Sequence, residues 1–287
     1  MGHKGIHYLN NKKVENTNCI SILNPSFLYG INCFEGIRAY WFNNKLRVID
    51  LESHVDRLYK SAKKLSLKPP LTKARLLTHV QKILEKEEIS FDAYIRVTIF
   101  AGNETGSWHE RSYFNNLISI TEKESFLHNP KSLRLKVSTF KRISINSMPP
   151  DVKAGANYLN SRYAHLEALD NGYDGALFLT NKGYVSESTG SCIFFISENS
   201  VETPNLDSDI LNSITRKRII KLCRSNNINV IEKQIPINLL ETYKAAFLVG
   251  TMMEVKPVSQ IDSVKYDTRD STFKTILNFF IDSIVND

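Results

Sequence analysis

The sequence predicts a mixed α/β protein of two domains. Three features carry that expectation. A chain of 287 residues is long enough to bury two cores. Strand-like alternation and helical stripes with 3–4 spacing are interleaved along it. A charged stretch at 123–132, broken by Asn129-Pro130, reads as a linker between two such mixed halves.

In the first half, residues 7–24 hold short strand-like pieces around an Asn10-Asn11 turn. Residues 29–41 form a glycine-punctuated apolar stretch, and Asn43-Asn44 turns it back into a strand at 46–49. Asp50 is placed to cap the next helix, whose stripe is Leu51, Val55, Leu58, Ala62 and Leu65. Arg57 lies beside that stripe, so its stem can pack while its head reaches inward. A second helix is expected over 72–87, with Leu76, Leu77, Val80, Ile83 and Leu84 inward. Residues 93–100 alternate, which puts Tyr94 and Arg96 on one face. A Tyr and an Arg side by side can hold a carboxylate, although the same pair also reads as a surface face with a snorkelling arginine. Residues 102–113 form a polar loop that could cover a site.

The second half opens with a strand at 133–139. A helix at 158–170 carries Leu159, Tyr163 and Leu166 on one stripe and stops at Asn171-Gly172. A hairpin follows around Asn181-Lys182, then buried-type strands at 192–196 and 245–249. A helix from Ser213 to Arg224 opens with Ser-Ile-Thr, which reads either as an anion site or as a plain serine cap. The last helix, 271–285, buries Phe273, Ile276, Phe280 and Ile284.

Composition excludes several classes. The chain is 42% hydrophobic and 23% charged, an ordinary globular mix. Its net charge of +7 is dispersed in short runs such as Lys63-Lys64, so no nucleic-acid partner is expected. No apolar run approaches the ~20 residues of a membrane span, and no signal peptide is visible. Cys19, Cys33, Cys192 and Cys223 are far apart without metal-ligand spacing, which suggests reduced thiols in a cytoplasmic protein and no metal.

The chemistry concentrates between Asp151 and Gly190. Lys153 sits among small residues, Tyr158 follows it closely, and Glu187 lies on a strand that the intervening helix can bring back. A lysine, a tyrosine and a carboxylate are what a pyridoxal phosphate site requires. The lysine holds the aldehyde as a Schiff base, the tyrosine bonds the ring oxygen, and the carboxylate keeps the pyridine nitrogen protonated.

Six segments together resemble the branched-chain aminotransferase family, the fold type IV (class IV) pyridoxal phosphate enzymes, over nearly the whole chain. They are Tyr-Gly-x-x-x-Phe-Glu-Gly-Ile-Arg-Ala-Tyr at 29–40, Tyr-Ile-Arg at 94–96 and Lys-Ala-Gly-x-Asn-Tyr at 153–158. The others are Tyr-Val-Ser-Glu at 184–187, Ser-Ile-Thr-Arg at 213–216 and Gly-Thr-x-x-Glu at 250–254. The resemblance implies a small α/β domain (1–122), a linker (123–132) and a larger barrel-like domain (133–287), with the cofactor between them. It implies Lys153 as the catalytic Schiff-base lysine, Glu187 at the pyridine nitrogen and Tyr158 at the ring oxygen. Arg57, Ile214, Thr215 and Thr251 would bind the phosphate. Tyr29, Phe34, Arg38, Tyr94, Arg96 and Met252 would line the substrate pocket, with Arg96 as carboxylate binder. It also implies a homodimer whose partner helps wall the site. The activity expected is amino transfer between an L-amino acid and a 2-keto acid. A lyase of the aminodeoxychorismate type, a D-amino acid or amine transaminase, and a non-catalytic relative are the alternatives.

Three departures from the family pattern bear on specificity. Ser213 stands where the family usually has Gly, which could tighten or tilt the phosphate turn. Met252 and Met253 replace two alanines, so long side chains could reshape the pocket. The linker lacks the family's Trp-Gly-x-Tyr and reads Ile-Thr-Glu-Lys-Glu-Ser-Phe.

Overall fold

The computed structural model describes residues 5–15, 20–102, 106–109 and 114–285. Cys19 and most of the 102–113 loop lie outside them. The chain divides into two compact units, Met1–Glu124 with Val152–Ala156, and Ser125–Asp151 with Asn157–Asn286. The segment that carries Lys153 therefore belongs to the first unit, although it interrupts the second in sequence.

The first unit contains β1 (Ile6–Leu9), β2 (Lys12–Lys13), α1 (Pro25–Tyr29), β3 (Asn32–Phe42), β4 (Lys45–Val48), α2 (Leu51–Lys64), α3 (Lys73–Lys86), β5 (Ala93–Ala101) and β6 (Phe114–Glu122). Its antiparallel sheet runs β2-β1-β6-β5-β3-β4. Asn10, Asn11, Asn43 and Asn44 all adopt positive φ, so both hairpins turn on the residue type that best tolerates it after glycine. One sheet face packs Cys33, Ile37, Ala39, Ile95, Val97 and Ile99 against Val55, Leu58, Ala62, Leu76 and Val80 of the two helices. Thr72 caps α3 by accepting the Arg75 N–H. Asp50 occupies the N-cap position of α2 but makes no side-chain capping bond, because its backbone is left-handed (φ 53). The strand β6, paired along its whole length with β5, was not anticipated.

The second unit contains β7 (Leu133–Val137), α4 (Tyr158–Asp170), β8 (Gly175–Leu179), β9 (Val185–Ser188), β10 (Cys192–Ile196), β11 (Val201–Pro204), α5 (Ile214–Ser225), β12 (Val230–Lys233), β13 (Ala245–Gly250), β14 (Glu254–Ile261), β15 (Val264–Lys265) and α6 (Ser271–Val285). Its mixed sheet runs β12-β11-β10-β13-β14-β7-β8-β9, with β15 paired to β14. The strands β8, β10 and β13 are buried throughout, which matches their apolar sequences, and β9 is buried although its sequence is Val-Ser-Glu-Ser.

The helix α4 packs on its small residues rather than on its stripe of large ones. Ser161, Ala164 and Ala168 face inward, and the Leu159–Tyr163–Leu166 stripe faces out, with Tyr163 52% exposed. Ala164 and Ala168 cluster with Ala176 and Phe178 of β8, so the helix lies close to its strand on small residues.

Candidate active site

In the first unit, the Lys153 segment is fastened to β3 and α2 by its backbone. The Phe34 N–H donates to the Lys153 carbonyl (3.0 Å), and the Gly155 N–H donates to the Asn32 carbonyl (3.1 Å). The Lys153 N–H donates to Ser61 Oγ (3.2 Å). A Cβ at Gly155 would displace the Asn32 side-chain amide, so the glycine lets the segment lie close against β3. Lys153 thus has its Cα fixed while its long stem projects. Its Nζ lies 5.0 Å from the centroid of the Phe34 ring.

The sheet face away from the helices gathers the expected substrate residues. The register sets Gly36 opposite Arg96, and Arg38 opposite Tyr94. Phe34, Arg38, Tyr94 and Arg96 consequently share a face, as the alternation predicts. Gly36 leaves room for the Tyr94 ring, which a Cβ would hit. The Arg96 guanidinium lies 3.6 Å from the Phe34 ring centroid. Arg38 is buried over the Tyr40 ring and donates to the Lys123 carbonyl at 2.6 Å. Tyr29 ends α1 and is exposed.

Arg57 sits on the opposite, helix-facing side of this sheet. Its Nε and Nη2 donate to the two carboxylate oxygens of Glu35, both at 2.7 Å. His54 Nδ1 is 2.8 Å from the same carboxylate. Burial alone would raise the Glu35 carboxyl, but the Arg57 charge, with hydrogen bonds from Arg57 and His54, outweighs it and holds the group down at about 2. Neither Glu35 nor His54 was singled out from the sequence. The signal was legible in part, because Glu35 is a charge between Cys33 and Ile37 on the core-facing side of the alternation.

In the second unit, Glu187 is buried on β9. One of its oxygens is 2.7 Å from Arg142 Nη2. The other accepts the Leu211 N–H (3.2 Å) and the Cys192 thiol (3.8 Å). Arg142 also lies beside the Phe178 ring and donates to the Asp209 carbonyl. No local pattern distinguishes Arg142 in the sequence. Tyr158 is the first residue of α4.

Ser213 is the N-cap of α5 and accepts the Arg216 N–H (3.2 Å). Its φ of −68° and ψ of 135° are ordinary extended values, so a side chain is accommodated where relatives have glycine and the turn is not distorted. Ile214 and Thr215 follow in a first turn without acidic residues, which leaves the positive end of the helix uncompensated by its own sequence. Thr251 lies in the three-residue turn between β13 and β14. The Ser191 hydroxyl is buried without a hydrogen-bond partner, and its Cβ is 3.3 Å from where a Cβ on Gly250 would stand. These residues fit pyridoxal phosphate. A helix N-terminus and hydroxyls suit the phosphate, and an ion-paired carboxylate suits a protonated ring nitrogen.

The two methionines part company. Met253 packs against the core of the second unit, whereas Met252 is 43% exposed. Only Met252 remains a candidate for shaping a pocket. The next residue, Glu254, is buried at φ 55 and accepts the Phe126 N–H at 2.7 Å. Lys256 Nζ lies 4.1 Å from the Phe126 ring centroid. A left-handed non-glycine residue beside Gly250-Thr251 is held there by this tie to the linker.

The sequence profile for amino-transferase class IV matches residues 32–261. A protein of Aquifex aeolicus named "Probable branched-chain-amino-acid aminotransferase" is 35% identical over 258 residues, covering 86% of this chain and 80% of that protein. The branched-chain aminotransferase of Thermoproteus uzoniensis, solved with norvaline, superposes with a TM-score of 0.93 at 31% identity, covering 98% of this chain and 95% of that one. The Thermobaculum terrenum enzyme in its pyridoxal phosphate form gives a TM-score of 0.93 at 29% identity, covering 98% and 94%. The chain belongs to the class IV, fold type IV aminotransferases, pyridoxal phosphate-dependent enzymes, within the branched-chain aminotransferase family.

Proposed function

We propose that the enzyme moves the amino group between an L-amino acid with an apolar, branched-chain-type side chain and a 2-keto acid. When bound, pyridoxal 5′-phosphate supplies an aldehyde that takes up the amino group and a ring that withdraws electrons from the substrate Cα. Lys153 is the residue that would hold the aldehyde of the cofactor. Its amine, when free, would be the base that moves a proton off the substrate Cα. Glu187 holds a proton at the ring nitrogen, and Tyr158 bonds the ring oxygen. Arg57, the N–H groups of Ile214 and Thr215, and Thr251 hold the phosphate. Phe34, Tyr94 and Arg96 face the substrate, with Tyr29, Arg38 and Met252 at its margins, and Arg96 binds the carboxylate.

One observation carries the reading. The Lys153 amine and the Arg96 guanidinium lie 5.0 and 3.6 Å from the centroid of one ring, that of Phe34. A group that must react with an amino acid and a group that can hold a carboxylate are thus placed together by a single apolar side chain.

The functional division we adopt is 1–122, 123–132 and 133–287. We assign a homodimer, supported by the outward stripe of Leu159, Tyr163, Leu166 and Leu169 on α4 and by Phe140 stacked on Tyr163. The buried thiols of Cys33, Cys192 and Cys223, none of them in a disulfide among the described residues, fit a reducing, cytoplasmic setting. Among the described residues, no helix is long and apolar enough to cross a membrane.

The test is a panel of amino donors followed spectroscopically, with chiral analysis of the product. L-leucine, L-isoleucine or L-valine should bleach the visible absorption of the holoenzyme and yield the corresponding keto acids. Bleaching only by D-amino acids or by simple amines would overturn the substrate class while leaving the cofactor chemistry in place.

A further inference from the structure

We propose that Glu35 and His54 are positioning residues that aim Arg57 at the phosphate of the cofactor. The inference rests on the reading of Arg57 as a phosphate ligand and adds the device that holds it. Glu35 occupies a core position. Its neighbours on the same face of β3, Cys33 and Ile37, are wholly buried, and so is Glu35 itself. A buried carboxylate costs several kcal/mol in desolvation, and an apolar residue there is often neutral or better for stability. A charge at such a position calls for a purpose beyond packing.

The geometry supplies one. His54 and Arg57 are three residues apart on α2, hence on one face of it, and both reach down to the same carboxylate. Arginine engaged through Nε and Nη2 together is fixed in plane and direction, because the guanidinium is rigid and the carboxylate matches it at two points. The orientation of the rest of the guanidinium is then set by Glu35. His54 bonds Oε2 of the carboxylate, the oxygen that Arg57 Nη2 also uses, and adds a second restraint on its rotation. An arginine on a flexible stem would otherwise lose rotamer freedom on binding phosphate, and that loss is taken up in folding instead.

A second reading of the same contacts gives the opposite sign. If Glu35 merely neutralises Arg57, its removal strengthens phosphate binding. The experiment measures the affinity of each resolved enzyme for pyridoxal 5′-phosphate and for pyridoxal, which lacks the phosphate, by visible absorption. The melting temperature of each variant is recorded alongside. Glu35→Gln should lower affinity for the phosphate form about tenfold, the equivalent of one charge-assisted bond, and leave pyridoxal affinity unchanged. His54→Gln keeps the ion pair and should give a smaller loss of about threefold, so it serves even where Glu35→Gln folds poorly. Glu35→Gln combined with Arg57→Ala should discriminate no worse than Arg57→Ala alone, since the two act through one group. Equal losses for both ligands, or a gain for the phosphate form, would overturn the proposal. Arg57→Ala separates the two levels. If it leaves the preference for the phosphate form intact, the reading of Arg57 itself fails. If it abolishes the preference while Glu35→Gln does not, only the positioning role fails.

Discussion

Each unit buries an arginine–glutamate pair, and the two are built in opposite senses. In the first unit, Arg57 comes from α2 and meets Glu35 on β3 at two points, with His54 as a third member. In the second, Glu187 stands on β9 and meets Arg142 at one point, with a backbone N–H and a thiol on its other oxygen. In the proposed site, the residue that meets the cofactor is the arginine of one pair and the glutamate of the other. The difference follows from what each end of the cofactor carries. A phosphate wants a cation held in a fixed plane. A pyridine nitrogen wants an anion that stays ionised without taking its proton. The same two residue types serve both ends with roles exchanged, so residue identity alone cannot say which member of a pair faces the ligand.

Lys153, the group both pairs would serve, sets the largest effect. Lys153→Ala should lower turnover by about 10⁴-fold, the upper range for loss of a general base. Borohydride reduction and peptide mapping should find label on Lys153 in the wild type; label on another lysine refutes the assignment. The contrast between the pairs is sharpened by Glu187→Gln against Arg57→Ala. Glu187→Gln should cost about 10²–10³-fold in kcat, as expected for loss of a preorganised charge, with cofactor affinity nearly kept. Arg57→Ala should do the reverse, weakening cofactor affinity about 10- to 150-fold while the saturated enzyme turns over normally. If both variants lose affinity and kcat in the same proportion, the division of roles is wrong.

Acid tests the first pair further. The folded Glu35 carboxyl, at about 2, lies below its ordinary value of 4.5. Its contribution to stability is therefore complete above about pH 4.5 and is lost as pH falls through 2, an amount of about 3 kcal/mol. Denaturant titrations from pH 5 to pH 2 should show a steeper fall for the wild type than for Glu35→Gln. Parallel curves would mean that the pair forms in the unfolded chain or not at all.

The smallest effect is expected at Met252. Because Met253 is partly buried against the core, Met252→Ala alone should change substrate preference, raising kcat/KM for leucine or valine by a few-fold, about 1 kcal/mol for a side chain that only partly fills a site. An unchanged preference across the donor panel would place Met252 outside the substrate path.

The sequence alone determined many of the elements and supplied the residues on which the proposed chemistry rests. Periodicity located α2, α3 and β5 because each has one apolar face and one polar face, which is a local property. The segments around Lys153 and Glu187 were legible as short runs of the residue types that the proposed chemistry needs, and Arg57 as a charge beside a helical stripe. Ser213 could be read as a cap for the same reason. What the sequence could not decide is what depends on distant partners. The stripe of α4 was legible but the face it turns to the core was not, because Ala164 and Ala168, the residues that pack, look like fillers until β8 is beneath them. Met252 and Met253 are the same residue type, and only the turn between β13 and β14 sets one against the core and leaves the other exposed. Glu35 and Arg142 acquired meaning only when folding placed Arg57 and Glu187 beside them, across separations of 22 and 45 residues. Local pattern selects secondary structure because it is set by neighbours along the chain. The partner of a buried charge is set by whichever strand or helix the topology delivers to it, and that is settled only when the tertiary structure closes.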